Sequence, residues 1–99
     1  MSGEFDWIIA GIERTTDPRH TVRAIHWRYQ LRHDDVVVDE SGDLPMPPDS
    51  LMTTDGATKA DYVAILEDVL DRMTLQERLE KRLRDVLHPK TELVAGPVA

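Results

Sequence analysis

The chain has 99 residues, a length that fits a single domain with one modest hydrophobic core. It contains no cysteine, which excludes disulfides, thiolate metal sites and cysteine nucleophiles. The formal net charge is −7, and no stretch approaches the roughly 18 apolar residues needed to span a membrane. We therefore expect no membrane association. Acids precede the first apolar run where a signal peptide would carry Lys or Arg, so no signal peptide is expected.

The charge is unevenly distributed along the chain. Residues 1–33 carry a net charge of +1, residues 34–71 carry −10, and residues 72–99 carry +2. Nucleic-acid binding through a broad basic face requires a positive surface, so this pattern argues against direct nucleic-acid binding. The acidic block can pair with arginines of the first third of the chain or with a partner protein.

The first 40 residues predict a three-stranded antiparallel meander. Residues 5–14 alternate at period two, and Gly11 marks either a bulge or a close approach of another segment. Residues 20–33 give the clearest strand because one face is apolar and the other polar. The apolar face carries Ile25, Trp27, Tyr29 and Leu31, and the polar face carries Ala24, His26, Arg28, Gln30 and Arg32. After a turn at residues 33–35, a third strand begins at Val36 and ends within residues 40–43.

Residues 41–57 predict an acidic, Pro-rich loop, and residues 58–88 predict two helices. Thr58 and Asp61 form a capping box, and residues 74–77 form a second one, so one helix ends near Arg72 and another begins at Leu75. A single helix over 59–88 is an alternative because neither Gly nor Pro interrupts that span. The apolar stripes on the helices consist of Tyr62, Leu66, Val69, Leu70 and Met73, then Leu75, Leu79, Leu83, Val86 and Leu87.

The predicted fold class is therefore α+β. A three-stranded antiparallel sheet is followed by the acidic Pro-rich loop and two C-terminal helices that pack on the apolar face of the second strand. Residues 1–89 form a single domain, and residues 90–99 form an extended C-terminal tail.

No pattern in the chain indicates catalysis. His20 and His26 lie about 20 Å apart on a regular strand and cannot share a metal, while His33, Asp34 and Asp35 fall in an exposed turn. No nucleophile elbow or glycine-rich phosphate loop is present. We expect a protein that is not an enzyme, with no catalytic residue, metal ligand or cofactor.

Three segments supply candidate interface residues. Arg28 and Arg32 share the polar face of the second strand. Met46 and Leu51 belong to the Pro-rich loop, where apolar residues either pin the loop to the core or form a docking strip. The tail contributes Leu93, Val94 and Val98, and we expect it to take part in an intermolecular interface.

The segment Val22-Arg23-Ala24-Ile25-His26-Trp27-Arg28-Tyr29 resembles a strand of small tailed-bacteriophage proteins, which carry a Val-x-Ala-Ile/Val-His-Trp-Arg pattern. In those proteins an acidic, Pro-containing loop and a helical pair follow, and the chain closes with Asn-Pro-x-Thr and then Gly and Pro. The segment from His88 to Thr91 and Gly96-Pro97 are similar to that ending, although His88 replaces Asn and the terminal aromatic of the family is missing. The family has no established activity that could be carried over to this chain.

The resemblance implies a phage-encoded protein. The leading hypothesis is a virion component of the capsid, connector or tail, assembled in the host cytoplasm and bound to other phage structural proteins or to copies of itself. The alternative is an acidic regulator or inhibitor of a host nucleic-acid-binding protein. A third, weaker hypothesis is that the chain is an accessory subunit of an enzyme.

Overall fold

The computed structural model describes residues 3–89 and 94–96. Three strands come first, β1 (Glu4–Arg14), β2 (Val22–His33) and β3 (Val36–Pro45), and two helices follow, α1 (Lys59–Val69) and α2 (Arg72–Leu87). This order confirms the predicted α+β fold.

The sheet is antiparallel, with β2 between β1 and β3. The alternation predicted for β2 is confirmed: its apolar face is buried, whereas Arg28 and Arg32 on the other face are exposed. The register between β1 and β2 shifts between Ile9 and Gly11, so the bulge predicted at Gly11 is also present. The resulting sheet has one face in the core and one face without a helix.

Strand β3 is longer than predicted. The sequence placed its end within residues 40–43, but it pairs with β2 as far as Pro45, which lies opposite Ala24. Gly42 lies opposite Trp27, and a Cβ at that position would come within 2.7 Å of Cζ2 of the indole. Gly42 is therefore a residue within the strand and does not end it. Its lack of a side chain leaves room for the Trp27 ring to lie against the backbone.

After β3 the chain forms a loop over residues 46–52, and both ends of this loop lie beside the beginning of β2. Met46 N donates to Arg23 O at 2.8 Å, and Val22 N donates to the carbonyl oxygen of Met52 at 2.8 Å. Met46 and Met52 pack against the core. Leu51, between these anchors, is 88% exposed. The Pro-rich loop is thus pinned at both ends and exposes an apolar side chain between them.

Two separate helices form, not one. The capping box at Thr58 and Asp61 is confirmed in both directions. The second predicted box is wrong: α2 begins at Arg72, and its N-cap is Asp71, whose carboxylate accepts a hydrogen bond from Thr74 N at 3.2 Å. The break falls earlier than predicted because Leu70 is extended, with φ −93° and ψ 143°.

The core lies between the sheet and the helices. Trp7 and Trp27 meet edge to face with ring centroids 5.7 Å apart. The ring centroid of Tyr29 lies 4.3 Å from that of Trp7. The helices contribute fully or nearly fully buried side chains, namely Tyr62, Leu66, Leu75, Leu79 and Leu83. Three further members of the predicted apolar stripes, Val69, Met73 and Val86, are exposed. They occupy the last turn of α1 and the two end turns of α2, where the helices have fewer neighbours.

Candidate protein-binding surface

The candidate interface residues are spread over separate regions. Arg28 and Arg32 lie on the uncovered face of the sheet, and Leu51 lies on the Pro-rich loop. Val94 is 69% exposed. Leu93 and Val98 lie outside the described residues, so the prediction for the tail as a whole remains a prediction. Met46 is partly buried against the core and also lines a surface groove.

This groove, which we call the loop–helix groove, lies between the Pro-rich loop and α1 and has a volume of about 510 Å³. One wall consists of residues 44–47 with Asp49 and Ser50, and the other consists of Ile65, Asp68 and Val69. Val69 is 58% exposed at its edge. Most of the lining is apolar, and Asp49, Ser50 and Asp68 are its polar members.

The loop wall of the groove is held in place by Arg23. Its guanidinium donates to Ser50 O at 2.9 Å and to Pro48 O at 3.3 Å, across the excursion of the loop. The proline rings restrict the backbone further, since each fixes φ. The groove is therefore preformed, and a ligand would not have to order this wall.

The uncovered sheet face carries a row of basic residues between acids. His26 Nδ1 contacts Asp43 Oδ1 on β3, and its Nε2 lies 3.1 Å from Glu13 Oε1 on β1. The hydrogen bond with Asp43, followed by the one with Glu13, raises the pKa of His26 above its usual value. Arg28 lies 3.7 Å from Asp39. This face is thus largely neutralised by contacts between its own strands.

Glu40 is another acid of the middle segment with partners inside the chain. Its side chain is 17% exposed, and Arg78 Nε on α2 donates to it at 3.0 Å. Arg82 contacts the same carboxylate and donates to the main-chain oxygen of Asp39. These contacts fix α2 on β3. The expected pairing of the acidic block with the basic residues of β2 is therefore observed for Asp39 and Asp43, whereas Glu40 pairs with arginines of α2.

Among residues 3–89 and 94–96, no three His, Asp or Glu side chains are placed to hold a metal ion. Glu13, His26 and Asp43 do meet, but the imidazole stands between the two carboxylates and uses both ring nitrogens to bind them. No helix in the described part of the chain has the length and apolar character needed to cross a membrane.

Sequence reasoning missed part of the groove. Val69 was assigned to a helix stripe, Ile65 was not singled out, and Arg23 was named only as part of the Val22–Tyr29 segment. The exposure of Val69 could not be read from periodicity, because the stripe continues through the position where α1 ends. The proline cluster next to Met46 was the one available signal for this site.

Comparisons with protein-family models, with curated proteins and with solved structures found no match for this chain.

Proposed function

We propose that this chain is a non-enzymatic component of a tailed-phage particle, in the capsid, connector or tail. It acts through protein–protein interfaces with other phage structural proteins or with copies of itself. The resemblance carried by the Val22–Tyr29 strand and by the segment beginning at His88 supports the phage setting. The observation that carries the binding role is the preformed, apolar loop–helix groove.

Exposed apolar residues on the Pro-rich loop and at the break between the helices support an interface. Leu51 is 88% exposed, and Val69 and Met73, either side of the break between α1 and α2, are 58% and 70% exposed. Single exposed apolar residues are ordinary on protein surfaces. Here one of them lines an apolar groove with a rigid wall, and apolar grooves of this kind are where proteins bind partners.

Mass spectrometry of purified particles of the encoding phage tests this proposal. We expect this chain at a fixed ratio to the major capsid protein, because a component bound at a specific interface of the particle is retained at a constant copy number. A replication protein of the same phage, measured in the same sample, controls for trapped material. Absence of this chain, or an amount no higher than that control, would refute a particle role.

The charge of the middle segment favours a second candidate, an acidic regulator of a host nucleic-acid-binding protein. Replacing its acids by amides should then abolish target binding, and binding should weaken steeply with salt. The acids to be replaced are Asp34, Asp35, Asp39, Glu40 and Asp43. This candidate is less well supported, because four of these five, all but Asp35, already have partners within the chain.

A further inference from the structure

The ionisable residues that line the loop–helix groove are all acidic. Among its lining residues, the ionisable ones are Asp49 on the loop and Asp68 on α1. Both are exposed, and neither forms an ion pair within the described part of the chain. The two walls thus each bring one unneutralised carboxylate to an apolar groove.

Two cations near these carboxylates are already engaged. Arg72 follows Asp68 by four residues in sequence, but its guanidinium pairs with Glu67 at 2.6 Å. Arg23, behind the loop, donates to the main-chain oxygens of Pro48 and Ser50. Asp49 and Asp68 therefore remain available to cations of a binding partner.

We propose that the loop–helix groove binds a short segment of another protein in which an apolar side chain stands between basic residues. The apolar side chain would contact Leu44, Met46, Ile65 and Val69, and Lys or Arg on either side would meet Asp49 and Asp68. The inference rests on the proposed function as a binding protein, and it specifies the chemistry of the partner. Opposite charge gives such a contact its specificity and speed of association, while the apolar anchor supplies affinity.

A nitrogen–proton correlation NMR titration of the full-length chain tests the proposal with three synthetic peptides. The first alternates leucine with lysine, the second replaces lysine by glutamate, and the third replaces leucine by serine. We expect only the lysine–leucine peptide to shift the amide signals of the non-proline residues of the loop wall and of residues 65–69; the loop-wall signals are those of Leu44, Met46, Asp49 and Ser50. Its affinity should fall as salt is added, since the carboxylates are exposed.

Two exposed valines provide a matched pair of variants. Val69→Ser in the groove removes apolar contact without adding charge, and it should weaken binding of the lysine–leucine peptide by about tenfold. Val86→Ser should leave binding unchanged, because Val86 is equally exposed, at 57% against 58%, but lies at the far end of α2. The double variant Asp49→Asn, Asp68→Asn should lower the affinity and remove most of its salt dependence. Neither valine is buried, so both variants are expected to fold.

Three results would overturn the inference. Equal binding of the glutamate–leucine peptide would refute the charge preference, and equal binding of the lysine–serine peptide would refute the apolar anchor. Absence of binding, or shifts confined to other surfaces, would refute the groove as the site. Each of these results leaves the particle test intact, because the presence of the chain in purified particles does not depend on which surface it uses.

Discussion

Gly42 lies against the Trp27 ring with no room for a side chain. An alanine at position 42 would bring its Cβ within 2.7 Å of Cζ2 and 3.0 Å of Cε2 of the indole. The ring cannot withdraw freely, because Trp27 is 7% exposed and is packed edge to face against Trp7. We therefore expect Gly42→Ala to force the ring or the strand out of position.

The size of the effect follows from two opposing contributions. Adding a methyl group to a packed core costs about 1–3 kcal/mol, whereas alanine in place of glycine within a strand regains about 0.5–1 kcal/mol. We expect Gly42→Ala to lower the free energy of unfolding by roughly 1–2 kcal/mol. Urea unfolding followed by tryptophan fluorescence would measure this change.

Gly11→Ala is the matched control in the neighbouring edge strand. A Cβ at Gly11 would lie 3.7 Å from His26 Cδ2, an ordinary contact, so this substitution should cost little. Trp27→Leu should remove the clash, and the double variant Trp27→Leu, Gly42→Ala should therefore be more stable than the sum of the single effects predicts. Equal stability of the two alanine variants, or strict additivity in the double variant, would show that the ring does not rest on Gly42.

Three further predictions concern the sheet and the first helix. Trp27→Ala should destabilise the protein by about 3–5 kcal/mol and Arg28→Ala by less than about 1 kcal/mol; similar small effects in thermal unfolding would contradict the assignment of the two faces. Thr58→Ala should cost about 1 kcal/mol through loss of the N-cap, and an unchanged melting temperature would contradict the capping box. The pKa of His26 is raised in the folded protein. The bridge between His26 and Asp43 therefore contributes its full stability below the pKa of His26 in the unfolded chain, which is about 6.5. This contribution is lost as the pH rises through the pKa of His26 in the folded protein. The melting temperature of the protein should therefore exceed that of His26→Gln most between about pH 5 and 6.5, and a difference that grows at higher pH would contradict the bridge.

Local signals in the sequence were sufficient for the elements that depend on neighbouring residues. The alternation of β2 predicted its buried and exposed faces, because successive side chains of a strand point to opposite faces of the sheet. Once the apolar residues are assigned to the core face, the polar residues must lie on the other face. The capping box at Thr58 depends on residues only three positions apart, so it too could be read directly.

Features that depend on distant residues could not be predicted in the same way. The extension of β3 to Pro45 depends on the partners that β2 offers and on the fit of Gly42 beneath Trp27. The start of α2 was misplaced because both Asp71 and Thr74 are good N-caps, and the sequence alone does not show that Leu70 is extended. Likewise, Arg23 holds loop residues about 25 positions away, a contact for which no local pattern exists.

The acidic block shows why a charge total is a poor guide to an interface. The block has a net charge of −10, but its acidic residues form different interactions in the fold and do not make one acidic surface. Asp61 and Asp71 cap helices, and Asp39, Glu40 and Asp43 join strands or hold α2 on the sheet. Because each of these acids is bound within the chain, a partner would have to break existing contacts to use it. Asp49 and Asp68 need no such exchange and stand beside apolar side chains, so an interface with a basic partner is expected at the groove and not across the block as a whole.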